Sequence, residues 1–428
     1  MDNTETTGHA GHAATRAKRR ALSMRLVLKR VGSIKEAMIC IDSVTTLAGP
    51  NNSGKTTVAK ALDALLVPMI DLEALMQEKR TQSLTSCLED WLNAFFGQSR
   101  HPEALPFLLK RIIDAYAKEQ AFTVDSYWLI VQLAMSDLIT EQTIPFNQRA
   151  EDAVEAINAA LRRDDHEYRN FIFAQQRYHH FTDQVSTFTG EGPSSIELVD
   201  FCRLSIDRHN TVTSRVGRGE EDVQSVVYMP ASRFFGDDQE WANPRFYAQL
   251  NKPPILSDRE VTLETYESTR RNVQTFNTIV EEIIGGKLVH HANTWAFVET
   301  AHPAEKIRLG NVASGVLSFA YLAKLIENGI LRRNSILIIE EPEMNLHPEW
   351  QILFADLLVQ LYKELQVISL LISHSPYFIR AIECALAQQG IKGAFYLMKR
   401  DGASSSCDEV TDDLQAIYRE LYRPFEEM

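Results

Sequence analysis

The sequence predicts an α/β protein with a mixed sheet built around a phosphate-binding loop. Three observations predict it. Short β-type runs alternate with helical patterns near both ends of the chain. A glycine-rich segment at residues 49–56 lies between a strand pattern and a helix pattern. The continuous apolar run at 336–339 is typical of a strand buried on both faces of a parallel sheet.

Composition limits the class of protein. The chain has 428 residues, of which 45% are apolar and 9% aromatic, as in globular proteins of two or three domains. The longest apolar runs, 127–135 and 367–372, are far shorter than the ~20 residues that cross a bilayer. The five cysteines show neither CxxC pairs nor metal-ligand spacing, which argues against a zinc ribbon or a disulfide framework. We therefore expect a cytoplasmic protein with no membrane partner.

The net charge of −13 is unevenly distributed. Residues 1–40 contain eight Lys/Arg and three Asp/Glu, whereas residues 71–222 contain 15 Lys/Arg and 25 Asp/Glu. An acidic middle segment is a poor surface for following a phosphate backbone. Charge therefore does not indicate a nucleic-acid partner, although the basic N-terminal stretch leaves one open.

The chain divides into four predicted parts. Residues 1–22 are expected to be a disordered leader, because no apolar stretch follows their basic residues as it would in a secretory signal. Residues 23–70 contain three strand patterns, the glycine-rich loop and a helix. Residues 71–224 predict a mostly helical insert without the sustained heptads of a coiled coil. Residues 225–428 return to strands and helices and end in a hairpin and an amphipathic helix.

The glycine-rich segment matches the phosphate-loop pattern G-x4-G-K-[ST]. Its glycines let backbone N–H groups converge on phosphate oxygens, and the following helix N-terminus adds a favourable dipole. Lys55 is expected to reach the β- and γ-phosphates, and the Thr56 hydroxyl to ligate Mg²⁺. A nucleotide phosphate chain and Mg²⁺ are thus expected at this loop. The predicted nucleotide contacts in this loop are Gly49, Asn51, Asn52, Ser53, Gly54, Lys55, Thr56 and Thr57.

Two carboxylates follow the buried run 336–339. In a phosphate-loop enzyme, Glu340 would lie near the Mg²⁺ shell, and Glu341 would orient or deprotonate the attacking water. The alternative is a core strand that leads into an acidic loop. The phosphate loop favours the functional interpretation.

His374 follows the next buried run, 367–372. Open α/β sheets place ligand contacts at the carboxyl ends of neighbouring strands, so we predict that His374 contacts the γ-phosphate. The alternative is a structural hydrogen-bonding histidine. His347, which precedes Pro348 at a helix start, is expected to be structural. Ser314 and Gly315 precede a helix, and alone they would indicate only a helix cap.

These motifs, in this order, resemble the nucleotide-binding head of ABC-type ATPases. The segments GPNNSGKTT, VASGV and IIEEPEMNLHPEWQ are similar to the branch shared by OLD-type and SMC-like ATPases of prokaryotic defence and DNA repair. The resemblance implies an ABC-ATPase-like P-loop head that pairs face to face in at least a homodimer. ATP would lie between the phosphate loop of one subunit and Ser314-Gly315 of the other, and Asn345 would touch the opposite site.

The chain departs from the wider ABC pattern. Glu340 stands where many ABC heads have Asp, and the absence of a full LSGGQ argues against a transporter subunit. No Q-loop glutamine is assigned, since Gln77 and Gln82 are merely nearby. Arg233 is expected either to face a phosphate or to cap the sheet.

OLD-type nucleases continue into a Toprim nuclease domain, but only 54 residues follow His374. The resemblance therefore implies a nuclease effector on another chain, as in the PARIS and Septu phage-defence systems. The expected function is an ATP-hydrolysing sensor or scaffold of anti-phage defence. Two alternatives stay open: a DNA-repair ATPase of the RecF or SMC-like type that clamps DNA, and a nucleotide-locked structural assembly with negligible turnover.

Overall fold

The computed structural model describes residues 22–96, 110–113, 123, 125, 147–182, 192–217, 223–231, 244–254, 262–291 and 294–426. Its strands are β1 (Met24–Val31), β2 (Ile34–Ile41), β3 (Val44–Ala48), β4 (Ser194–Leu198), β5 (Cys202–Ile206), β6 (Val212–Val216), β7 (Ser225–Met229), β8 (Gly286–His291), β9 (Thr294–Glu299), β10 (Ile307–Arg308), β11 (Ser335–Glu340), β12 (Ile368–Ser373), β13 (Ala394–Asp401) and β14 (Ser404–Glu409).

Its helices are α1 (Lys55–Ile70), α2 (Leu72–Phe96), α3 (Asn147–Arg162), α4 (Asp165–Phe181), α5 (Pro244–Leu250), α6 (Leu263–Ile284), α7 (Ser314–Glu327), α8 (Pro348–Leu365), α9 (Pro376–Gln389) and α10 (Gln415–Glu426). In the described ranges, no helix is both long and apolar enough to cross a membrane.

Eleven strands form one mixed sheet in the order β6-β5-β4-β1-β2-β14-β13-β3-β12-β11-β7. The five strands β13, β3, β12, β11 and β7 are parallel neighbours. At the other end of the sheet, β1 pairs with β2 and β4 in antiparallel fashion. A separate three-stranded sheet has the order β10-β9-β8. The prediction of an α/β protein with a mixed sheet is confirmed.

The central strands are buried on both faces because helices cover both sides of the sheet. Successive residues of β11 show this directly. Ile336 and Ile338 belong to one core cluster, which includes residues of α1, whereas Leu337 and Ile339 belong to the other, which includes residues of α7 and α8. Each fully buried side chain of this size contributes about 1.5–3 kcal/mol by burial. This packing on both faces fixes the position of the strand end that carries Glu340.

The segment predicted as a mostly helical insert, 71–224, also contains strands. Its described part is helical in α2, α3 and α4, but β4, β5 and β6 extend the main sheet beyond β1. Ile196 and Leu198 are buried, and Ile196 pairs with Leu28 of β1. Strands of only five residues give a weak local pattern, so strand pairing decides their structure: β4 pairs with β1, β5 with β4 and β6 with β5. Residues 1–21, 97–109 and Arg233 lie outside the described residues.

Candidate functional site

The phosphate-loop segment lies between β3 and α1, which begins at Lys55. Gly49 and Gly54 have φ values of 147° and 93°, in the range that favours glycine. A Cβ on Gly49 would also collide with the carbonyl oxygen of Met398 in β13. Farther along the loop, Arg400 of β13 donates a hydrogen bond from Nη1 to the carbonyl oxygen of Asn52 at 2.9 Å. The loop is therefore packed closely against the neighbouring strand.

Lys55 folds back onto its own loop. Its Nζ donates hydrogen bonds to the carbonyl oxygens of Gly49 at 2.8 Å and Pro50 at 2.7 Å, and the residue is 8% exposed. Burial lowers the pKa of Lys55 to about 8, although the charges of Glu341, Glu343 and Glu340 oppose this shift. The ammonium group thus lies within the electrostatic reach of the acidic end of β11. Phosphate oxygens would be stronger acceptors for it than neutral carbonyls.

The remaining loop residues differ in accessibility. Asn51, Asn52 and Thr56 are exposed, Gly54 and Thr57 are partly buried, and Ser53 is buried. The exposed Thr56 hydroxyl directly follows Lys55 at the start of α1, where a metal ion beside bound phosphates could reach it.

Glu340 ends β11 and is held by a tyrosine from the adjacent strand. The Tyr228 hydroxyl donates a hydrogen bond to Glu340 Oε1 at 3.0 Å, and Glu340 is buried. Burial and the charge of Glu340 raise the pKa of Tyr228 far above its ordinary value, so the phenol remains a donor. This bond orients the carboxylate, and sequence reasoning missed it because the two residues are 112 positions apart.

Glu341 has an unusual backbone conformation. Its φ is 47°, in the left-handed region that a side-chain-bearing residue enters at a cost of about 1–2 kcal/mol. The Glu341 N–H donates to the carbonyl oxygen of Ile372 in β12 at 2.8 Å, which holds the strained residue in place. Such conformations cluster at functional sites.

His374 lies beside this carboxylate. Its Nδ1 is 3.7 Å from Glu341 Oε1 and 3.8 Å from Glu343 Oε1, and the side chain is partly exposed. Because β3, β12 and β11 are parallel neighbours, their carboxyl ends meet at one edge of the sheet. The structure therefore brings Lys55, Glu340, Glu341 and His374 together.

Glu343 is a further residue of this cluster that sequence reasoning missed. It is 7% exposed, and its Oε1 accepts hydrogen bonds from Ser373 Oγ at 2.7 Å and from the N–H groups of His374 and Ser375 at 3.2 Å each. Burial raises the pKa of Glu343, and the Ser373 bond and the charge of His374 oppose this. The third acid of the Glu-Glu-Pro-Glu run was the signal that could have identified it.

The other predicted nucleotide contacts form a separate group. Ser314 is the first residue of α7, and Ala313 is its N-cap, so the Ser314 side chain does not cap the helix. A Cβ on Gly315 would lie 2.9 Å from the Asn345 carbonyl oxygen and 2.9 Å from Leu346 Cδ2. The Ser-Gly pair thus packs against the loop that carries Asn345, which is exposed and has a φ of 62°. His347 is the N-cap of α8, as predicted.

A buried charge cluster links the site to the insert. Asp63 of α1 accepts hydrogen bonds from His180 Nε2 of α4 at 2.7 Å and from Arg245 Nη1 of α5 at 2.9 Å. Burial alone would raise the pKa of Asp63, but the Arg245 and His180 interactions hold it below its usual value. The His180 ring also meets the Tyr228 ring edge to face, with centroids 5.7 Å apart.

The donor set suits Mg²⁺ bound together with phosphates. In the part of the chain that the structure describes, no cluster of three or more His, Cys, Asp or Glu side chains could hold a metal ion alone. Mg²⁺ typically takes only one or two protein ligands and completes its shell with phosphate oxygens and water. Thr56 and Glu340 fit that role.

Comparisons with known proteins agree with a nucleotide site. Residues 249–379 match the model of an AAA ATPase domain. This range contains Ser314, Gly315, Glu340, Glu341, Asn345 and His374, whereas the phosphate-loop segment lies outside it. The search of curated proteins gives no match.

Several solved structures are similar over most of the chain. The SMC head domain from Thermotoga maritima has 12% identity and a TM-score of 0.39, covering 91% of this chain and 98% of its own. An SmcHead bound to the C-winged helix domain of ScpA has 12% identity and a TM-score of 0.43, covering 92% and 98%.

A third is an Smc head domain with an extended coiled coil, bound to the C-terminal domain of ScpA derived from Pyrococcus furiosus. It has 10% identity and a TM-score of 0.35, covering 94% of this chain and 100% of its own. At these TM-scores the three structures add nothing to the architecture described above. Of these comparisons, the one that bears on function is the similarity of residues 249–379 to an AAA ATPase domain.

Proposed function

We propose that the protein binds and hydrolyses ATP at the sheet edge where Lys55, Glu340, Glu341 and His374 meet. The observation that carries this proposal is the distance of 3.7 Å between His374 Nδ1 and Glu341 Oε1, at the carboxyl ends of strands beside the phosphate loop. An AAA ATPase match over residues 249–379 supports it independently.

Each residue has a role in this reaction. A bound triphosphate replaces the Gly49 and Pro50 carbonyls as the acceptor of the Lys55 ammonium hydrogen bonds. His374 contacts the γ-phosphate, and the Glu341 carboxylate takes a proton from the attacking water. Thr56 and Glu340 would hold Mg²⁺, which would supply positive charge against the phosphate oxygens.

The heads pair face to face, and Ser314-Gly315 and Asn345 complete the site of the neighbouring subunit. This pairing rests on the resemblance of the VASGV and IIEEPEMNLHPEWQ segments to ABC-type heads, which is an argument by analogy.

The ATPase acts as a sensor or scaffold that controls a nuclease on another chain, in anti-phage defence. This part rests on the resemblance of the phosphate-loop and Glu-Glu-Pro-Glu segments to the OLD-type and SMC-like branch, which is an argument by analogy. The described residues after His374 belong to the head itself, because β13 pairs with β3 and with β14.

Equilibrium binding of fluorescent ATP tests the nucleotide site. We expect Lys55→Ala to abolish binding, and Lys399→Ala, which removes an exposed lysine paired with Asp408, to bind as the parental protein does. Parental affinity in Lys55→Ala would contradict the assignment. A titration with duplex DNA at several salt concentrations tests the alternative of a DNA clamp. That alternative requires an affinity for DNA that falls steeply as the salt concentration rises.

A further inference from the structure

Glu343 is the one carboxylate of the cluster to which the proposed reaction assigns no role. We propose that Glu343 is a positioning residue: it holds the segment Ser373–Ser375, and thereby the His374 imidazole, against Glu341. The inference rests on the proposed function for its effect on turnover, whereas its structural part is independent of ATP.

The geometry at Glu343 Oε1 carries the inference. Three donors from three consecutive residues converge on this single oxygen: Ser373 Oγ at 2.7 Å, His374 N at 3.2 Å and Ser375 N at 3.2 Å. Because the two N–H groups flank the His374 Cα, they fix the direction in which its side chain leaves the backbone. One further described hydrogen bond lies within the segment, from the Ser375 N–H to Ser373 Oγ at 3.0 Å, and it does not involve His374.

The rest of the segment has few other anchors. Ser373 ends β12, and Ser375 caps α9 by accepting a hydrogen bond from the Phe378 N–H at 3.3 Å. His374 and Ser375 thus form a two-residue link between a strand and a helix. Its imidazole Nδ1 lies 3.7 Å from Glu341 and 3.8 Å from Glu343, so a small rotation of the link changes both separations.

Because Glu343 is buried, the loss of its carboxylate as a hydrogen-bond acceptor is costly. Glu343 is 7% exposed, and its Oε2 has no hydrogen-bond partner in the described structure. The hydrogen bonds that the Glu343 carboxylate accepts are therefore all on Oε1, and their donors are Ser373, His374 and Ser375. Alanine at this position removes the acceptor of the His374 N–H and leaves the Ser375 N–H with only its hydrogen bond to Ser373 Oγ at 3.0 Å, whereas glutamine keeps a neutral acceptor of the same shape.

Hydrogen exchange of the full chain without nucleotide tests the structural part. In Glu343→Ala we expect faster exchange of the His374 amide and a smaller acceleration at Ser375, whose N–H keeps its hydrogen bond to Ser373 Oγ, with parental exchange in β11. Glu343→Gln should give a smaller acceleration, and the exposed-acid control Glu349→Ala should give none. Parental exchange at residues 374 and 375 in Glu343→Ala would overturn the proposal, and so would acceleration spread evenly over the sheet.

ATPase kinetics test whether Glu343 affects turnover through His374. We expect Glu343→Ala to lower kcat about 10- to 100-fold, the loss typical of a misplaced catalytic group, with ATP affinity within about threefold of parental. The double variant Glu343→Ala/His374→Ala should be no slower than His374→Ala. Multiplicative losses would overturn the proposal, because they would mean that Glu343 acts apart from His374. A parental protein without ATPase activity would refute the proposed function, while the exchange result would still judge the role of Glu343.

Discussion

His180 in the helical part of the insert hydrogen-bonds to Asp63 in α1 at 2.7 Å, and both side chains are almost fully buried. Asp63 lies two turns beyond Lys55 on the same helix. Arg245 of α5 completes the cluster and also donates to the Val226 carbonyl oxygen of β7. The insert is therefore joined by buried polar contacts to the helix that begins at the phosphate-loop segment.

Asp63→Asn should destabilise the protein at neutral pH by about 3 kcal/mol, because it leaves the buried Arg245 contact without its negative partner. The measurement is urea unfolding at pH 7. The control is Asp165→Asn, which removes an exposed ion pair with Arg80 and should cost less than about 1 kcal/mol.

The effect of Asp63→Asn should also depend on pH. The folded-state pKa of Asp63 lies below its unfolded value of 3.8, so the folded state binds fewer protons. The stabilising contribution is thus complete above pH 3.8 and is lost as the pH falls through the lower folded-state pKa. The difference in the free energy of unfolding between the parental and Asp63→Asn proteins should therefore become smaller as the pH falls below 3.8. A difference that is constant down to acid unfolding would contradict this account.

Tyr228→Phe should raise the Mg²⁺ concentration needed for half-maximal ATPase activity by a larger factor than it raises the dissociation constant for ATP. The substitution removes the hydrogen bond that orients Glu340, and losses of about tenfold in metal affinity are typical when such supporting bonds are removed. The measurement is the Mg²⁺ concentration that gives half-maximal ATPase activity. Tyr321→Phe, at a buried tyrosine of α7, is the control and should leave that concentration unchanged. Equal Mg²⁺ dependence in both variants would count against Glu340 as a ligand.

Gly315→Ala should impair the pairing of heads while each head still binds ATP. The added methyl group would lie 2.9 Å from the Asn345 carbonyl oxygen, so the loop must move. We expect the association constant of the ATP-dependent dimer, measured by sedimentation, to fall at least about tenfold. Closely packed complementary surfaces tolerate little displacement. Gly390→Ala adds its methyl group in open space, and because the φ of Gly390 is 63° it is the control for a strained backbone away from this loop. Unchanged dimerisation of Gly315→Ala would remove this loop from the proposed interface.

Local patterns were enough to predict the fold class and much of the candidate site. The strands before Lys55, Glu341 and His374 are short β-type runs, and parallel pairing brings their carboxyl ends together. The partners of these residues could not be predicted, because they depend on contacts distant in sequence. Tyr228 meets Glu340 across 112 positions, and His180 meets Asp63 across 117. The strands β4 to β6 were missed for the same reason, since β4 depends on pairing with the distant strand β1, and β5 and β6 extend the sheet from β4.

Single-turnover hydrolysis with protein in excess over γ-labelled ATP tests the central claim most directly. The parental protein should release labelled phosphate in the presence of Mg²⁺, whereas Glu341→Gln should bind the ATP with similar affinity and leave it intact. Phosphate release from Glu341→Gln at the parental rate would contradict the account.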